Sequence, residues 1–188
     1  MSARAFWEGQ GGNEYTERNR PDITLRRVAF LRLVPRGSVL EVGANRGHNI
    51  AALMADNRHL VAGIDLNPTA AREALIPVLR GSATDIPAFD ASFDLVFTCG
   101  VLIHVPPEDL PKAYDEMVRV SRKYVLIMEY YSEDVTSVTW RGNDGLLWKR
   151  PFGREMSERH PELILEATGD LGKDQGFDNV TWWRWRKP

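Results

Sequence analysis

Short apolar runs recur along this chain, separated by stretches with helical spacing. Ser38–Gly43 (SVLEVG), Leu60–Asp65 (LVAGID), Asp94–Cys99 (DLVFTC) and Tyr124–Tyr130 (YVLIMEY) are nearly continuous apolar segments. Strands buried on both faces read this way. Val78–Gly81 predicts a shorter strand, and Pro77 beside it places that strand at a sheet edge. Between them, Gly47–Asp56, Pro68–Leu75 and Glu108–Ser121 predict helices. The last carries Leu110, Ala113, Tyr114, Met117 and Val118 on one face. Ile23–Leu33 predicts a further helix, opened by Pro21-Asp22 and stopped by Pro35. This alternation predicts an α/β fold of βαβ units, with a mostly parallel sheet and helices on both faces.

After Ser132 the rhythm loosens. Leu163–Ala167 and Val180–Lys187 predict two more strands, the second alternating Trp183 and Trp185 with Arg184 and Arg186. Upstream, Phe6–Asn19 is polar and Gly-rich, with aromatic anchors at Phe6, Trp7 and Tyr15. It reads as an ordered arm outside the core. The expected organisation over 1–188 is one ligand-binding domain. Residues 1–34 supply an arm and helix acting as a lid, and 38–188 supply the core.

Composition narrows the classes. A chain of 188 residues suffices for one domain with a core. The net charge of −2 argues against nucleic acid as a partner, since a basic face supplies most of that affinity. A single cysteine, Cys99, excludes a disulfide framework and a thiolate zinc site, and fits a reducing cytoplasm. His48, His59 and His160 lack metal-ligand spacing, so no metal is expected. No signal peptide or membrane-spanning run is read.

The sharpest chemical signal is Glu41-Val42-Gly43-Ala44-Asn45-Arg46-Gly47, closing the first strand, followed by Asp65-Leu66 at the end of the second. In an open α/β sheet the ligand lies beyond the carboxyl ends of the strands. Gly43 lets backbone approach it, and Asp65 can accept both hydroxyls of a ribose. A dinucleotide site needs G-x-G-x-x-G with a helix N-terminus on the pyrophosphate. Here the pattern is G-x-N-x-G, with Glu41 two residues before the first glycine. That carboxylate would repel a pyrophosphate but suits a cationic sulfonium amino acid. The reading is therefore a Rossmann-like sheet that binds S-adenosylmethionine (SAM), not NAD. Asn45 replaces the middle glycine, and Asn tolerates left-handed backbone. Taken singly, Glu41 reads equally as a strand-end surface residue, and Asp65 as a helix cap.

Gly81-Ser82-Ala83-Thr84-Asp85 follows the third strand and would lie beside adenine; Asp85 is either a ligand of the exocyclic amine or a turn residue. Gly100-Val101-Leu102-Ile103-His104 would pass under the cofactor. His104 either orients or deprotonates an acceptor or ties its own loop together. Glu129-Tyr130-Tyr131 would end the fifth strand facing the acceptor space. In the arm, Tyr15 would pack on the methionine moiety, and Arg20 or Arg18 would meet the SAM carboxylate. Arg141, Lys149 and Arg150 read as either surface charges or ligands of an anionic acceptor.

From about Val39 to Tyr130 the sequence resembles the class I SAM-dependent methyltransferase superfamily, at Glu41, Gly43, Gly47, Asp65 and FDLVF…GVLIHV. More narrowly it resembles the methylases associated with pseudaminic acid biosynthesis. That likeness is carried by Phe6-Trp7-Glu8-Gly9, Gly12–Asn19, Gly100–His104, Tyr114-Asp115-Glu116, Glu129-Tyr130-Tyr131, Trp140-Arg141-Gly142, Lys149-Arg150 and Thr181-Trp182. The resemblance implies a seven-stranded sheet in the order 3-2-1-4-5-7-6 with the last strand antiparallel. It also implies Glu41 and Gly43 near methionine, Asp65 on the ribose and Ala83–Thr84 near adenine.

Three activities fit these residues. The first is methyl transfer to a small acceptor, such as a sugar or amino acid derivative, with His104, Glu129, Tyr130 or Tyr131 at the chemistry. The second consumes SAM alone, by cyclising or transferring its aminocarboxypropyl arm. The third is SAM binding without catalysis. No membrane partner is expected, and the sequence leaves the acceptor and the oligomeric state open.

Overall fold

Strands β1 (Gly37–Val42), β2 (His59–Asp65), β3 (Val78–Arg80), β4 (Phe93–Cys99), β5 (Ser121–Glu129), β6 (Ile164–Leu171) and β7 (Val180–Arg186) form one sheet. It is seen in a computed structural model that describes residues 2–54 and 59–188. The order is β3-β2-β1-β4-β5-β7-β6. The first five strands pair in parallel, and β7 runs antiparallel between β5 and β6. This is the predicted order and orientation.

Strand periodicity splits the core in two. Leu40, Val96, Val125 and Ile127 face α6 (Leu110–Val120) and α7 (Phe152–Arg159), with Trp183 and Trp185 of β7 on the same side. Val39, Leu95, Phe97, Leu126 and Met128 face α3 (Ile23–Leu33) and α4 (His48–Met54) on the other. Successive strand residues point to opposite faces, so a run buried on both sides must be apolar throughout. Asp22 caps α3 by accepting from the Thr24 and Leu25 amides. The predicted apolar face of α6 is buried at all five positions.

Several boundaries differ. β5 begins at Ser121, directly where α6 ends at Val120. The helix expected to Leu75 closes at Arg72 (α5, Pro68–Arg72), and the far end of the one expected to Asp56 lies outside the described residues. The strand expected at Leu163–Ala167 runs Ile164–Leu171. Unforeseen are α7 and a short ribbon pairing Thr136–Ser137 with Trp148–Lys149. The arm folds as two helices that the sequence pattern did not predict, α1 (Ala3–Glu8) and α2 (Gln10–Arg18). Among the described residues no helix is long and apolar enough to cross a membrane.

Candidate functional site

The carboxyl ends of β1, β2 and β4 open into a cavity of about 270 Å³, roofed by α1 and α2. Its floor is set by the turn after β1. Gly43 has φ +74°, and a Cβ there would sit 2.4 Å from a methyl of Val101, so the β1 and β4 turns interlock only through a glycine. Asn45 follows with φ 49°, a left-handed conformation that asparagine tolerates.

Glu41 is 1% exposed. Its Oε1 accepts from Asn49 Nδ2 at 2.6 Å, while Oε2 is buried without a partner. Burial, helped by the Asp65 charge, pushes the carboxyl up to about 8, against the Asn49 hydrogen bond, the Arg26 charge and, least of these, the nearby Ile50 amide, which act downward. The Oδ1 of Asn45 is likewise buried without a partner. Both residues line the cavity. Two unsatisfied acceptors in a buried site call for a ligand rich in N–H donors.

Asp65 closes β2. Its oxygens accept from the Asn45 amide at 2.7 Å and the Asn67 amide at 2.8 Å, and burial raises its pKa. Each oxygen retains a second lone pair for an outside hydroxyl. Leu66, Ser82, Ala83, Thr84 and Gly100 also line the cavity. Ser82 and Thr84 bond to each other at 2.9 Å in a tight turn, whereas Asp85 is exposed and outside it.

The roof is aromatic. Trp7, Tyr15 and Trp140 lie within 6.4 Å of one another by ring centroids, and His104 sits 4.4 Å from Trp7. Burial raises the Tyr15 pKa. His104 Nδ1 lies 2.6 Å from the Leu146 carbonyl. A carbonyl only accepts, so Nδ1 carries the proton and Nε2 keeps its lone pair. Burial lowers this imidazole to about 4. Tyr130 lines the cavity and donates to Asp178 Oδ2 at 3.0 Å.

Some predicted residues stand elsewhere. Arg20 is exposed, bonded to the Thr16 and Asn19 carbonyls, and absent from the cavity wall. The cations that do line the cavity are Arg4 of α1, paired with Glu8, and Arg26 of α3, and no local signal in the sequence singles out the latter. Glu129 is not a wall residue either. It accepts from the Val101 and Leu102 amides at 3.0 Å and from that of Ile103 at 3.4 Å, and so braces the turn after β4. Burial holds it near 7. Tyr131 points away and packs 6.0 Å from Trp183. Arg150 is committed to Glu155 at 2.9 Å. Cys99 lines the cavity half-buried, its thiol pushed up to about 12 by desolvation, which suits packing and not nucleophilic work.

Asn67, unforeseen, ties roof to floor. Its Oδ1 caps α5 through the Thr69 and Ala70 amides, and its Nδ2 donates to the Trp7 carbonyl and to Asn13 Oδ1, both at 3.0 Å. Among the described residues, no three His, Cys, Asp or Glu converge as a metal site.

Residues 40–127 match the family model described as a methyltransferase domain. No curated protein matches the chain in sequence. Among solved structures, a magnesium protoporphyrin IX methyltransferase from Synechocystis PCC 6803 with bound S-adenosylhomocysteine (SAH) is similar, with a TM-score of 0.71 at 12% identity over 98% of each chain. A SAM-dependent methyltransferase from Thermotoga maritima gives 0.67 at 17% identity, again over 98% of each chain. The 1,6-didemethyltoxoflavin-N1-methyltransferase of Burkholderia thailandensis, solved with bound 1,6-didemethyltoxoflavin and SAH, gives 0.66 at 17%, covering 94% of this chain and 80% of that one. At such identities the likeness is one of fold. With its strand order, the chain has the class I methyltransferase fold, and within it residues 40–127 resemble a methyltransferase domain.

Proposed function

We propose that this protein transfers a methyl group from SAM to a small acceptor. The observation that carries the reading is the pair of buried, unpartnered acceptors on the cavity floor, Glu41 Oε2 and Asn45 Oδ1. They suit an ammonium. In this reading Asp65 takes the ribose hydroxyls, Leu66 and the Ser82–Thr84 turn border the adenine, and Gly43 and Gly100 leave room for the ligand's passage. Arg26, not Arg20, faces the carboxylate. Tyr15 closes over the methionine end, and α1 and α2 act as a lid.

Bound SAM supplies an already activated methyl group, so the protein's work is alignment and exclusion of water. The aromatic roof does the second. His104, held neutral with a free Nε2, can accept a hydrogen bond from a hydroxyl or amine acceptor and so orient it, and Tyr130 can do the same. Arg18 and Arg141 lie 5.3 and 5.6 Å over the Trp140 ring, and neither has an ion-pair partner among the described residues. Both are exposed and off the cavity wall, and positive charge on the outer side of the roof favours entry of an acceptor bearing a carboxylate. That fits a sugar or amino acid derivative, as the pseudaminic acid-associated resemblance suggests, handled in the cytoplasm.

The deciding experiment is mass spectrometry of the products formed from SAM, with and without a panel of acidic sugars and amino acids. Acceptor-dependent SAH is the expected result. Methylthioadenosine from SAM alone would replace this reading with chemistry on the aminocarboxypropyl arm. SAM binding with no turnover across the panel would leave a binding module.

A further inference from the structure

A buried carboxylate that must meet a cation needs one oxygen held and the other left free. In this protein the holding is done by Asn49, on the first turn of α4. Asn49 is itself buried and lines the cavity. Its Nδ2 donates to Glu41 Oε1 at 2.6 Å, and its Oδ1 accepts from Arg26 Nη1 at 2.7 Å. Arg26 is fixed in turn: its Nε donates to the Gly176 carbonyl at 2.8 Å, and its guanidinium lies 4.9 Å over the Phe177 ring. Three elements are thereby joined in one line: α3, α4 and β1.

The chemistry of the middle group is specific. Asparagine donates at one end and accepts at the other, so it fits between a guanidinium, which only donates, and a carboxylate, which only accepts. An arginine paired directly with Glu41 would tend to engage both oxygens as a fork. With the amide interposed, Oε2 remains unpartnered. Arg26 still supports the carboxylate's charge across the amide.

We propose that Asn49 is a positioning residue that acts through Glu41, presenting Oε2 to the ammonium group of the ligand's amino acid portion. The proposal rests on the SAM reading above. It predicts that Asn49 matters only for ligands that carry that ammonium.

The test uses two probes on the full chain by calorimetric titration: SAH, which has the amino acid portion, and methylthioadenosine, which lacks it. N49A is expected to weaken SAH about tenfold, the scale of one charge-assisted hydrogen bond, and to leave methylthioadenosine within about twofold. In an E41Q background the same substitution should add less than about twofold, because a group acting through Glu41 has nothing further to lose. N49D, nearly isosteric, keeps the Arg26 contact but cannot donate to Glu41, and should reproduce the selective loss if N49A folds poorly. Equal losses for both probes would mean that Asn49 is merely structural. Additive losses in the double variant would mean that it does not act through Glu41. Failure of both probes to bind the wild-type chain would instead remove the SAM reading, and this one with it.

Discussion

Replacing Glu41 with glutamine is expected to raise the thermal midpoint of the ligand-free protein at pH 8 by roughly 5–10 °C while weakening SAM about 100-fold. The carboxyl is raised from its ordinary 4.5 to about 8 by burial. A raised acid is neutral in the folded state and ionised in the unfolded one between those values. Nothing is lost below pH 4.5, and destabilisation accumulates as pH climbs towards 8. Each unit of difference corresponds to about 1.4 kcal/mol, so the full span is of order a few kcal/mol, and a chain of this size gains roughly 2–4 °C per kcal/mol. Glutamine keeps the shape and removes the charge. Melting curves at pH 5 and pH 8 should therefore show wild type and variant nearly level at the first and separated at the second. Equal separation at both would show that the carboxyl is not the source. SAM binding by the wild type near pH 7 should release a proton, visible as a buffer-dependent calorimetric heat. This is a stability–function conflict at one side chain.

Asp65→Ala is expected to weaken nucleoside binding on the order of 100-fold or more, for SAH and methylthioadenosine alike. Both ligands carry the ribose. The substitution also removes the acceptor from the Asn45 and Asn67 amides. The turn after β1 and the start of α5 would loosen together, while the sheet, whose core lies beneath, stays folded. E41Q should spare methylthioadenosine and D65A should not. Calorimetry with the two nucleosides on the two variants separates the amino acid end of the site from the ribose end. Unchanged methylthioadenosine binding by D65A would remove the ribose role.

The sheet was legible because its strands are buried on both faces, and such runs have few other readings. The floor of the site was legible for a related reason. Glu41, Gly43 and Asp65 sit at strand ends, where the βαβ arrangement delivers them to one crevice. The roof was not. Gln10–Arg18 contains Gly11, Gly12 and Asn13, poor helix formers, and its helix is held by docking on Asn67 and not by its own propensity. Arg26 is one of two adjacent arginines on a helix, with nothing local to mark which of them faces inward. The error at Glu129 and Tyr131 had a remedy in the sequence. Consecutive extended residues alternate in direction, so three in a row could not all face one cavity. Tyr130 reaches it; Glu129 and Tyr131 share the opposite parity and turn away.

The amide of Asn67 offers a handle on α1 and α2, the proposed lid, that leaves the rest of the molecule alone. Aspartate at this position would still cap the helix beneath it, since that contact uses only an oxygen. The other end of the group would change from a donor into an anion facing the Trp7 carbonyl and the Asn13 side-chain oxygen. Like would then meet like, and α1 and α2 would be pushed off without a truncation. Stopped-flow SAM uptake by N67D should show faster entry and faster escape at an unchanged melting temperature, reporting directly on gating.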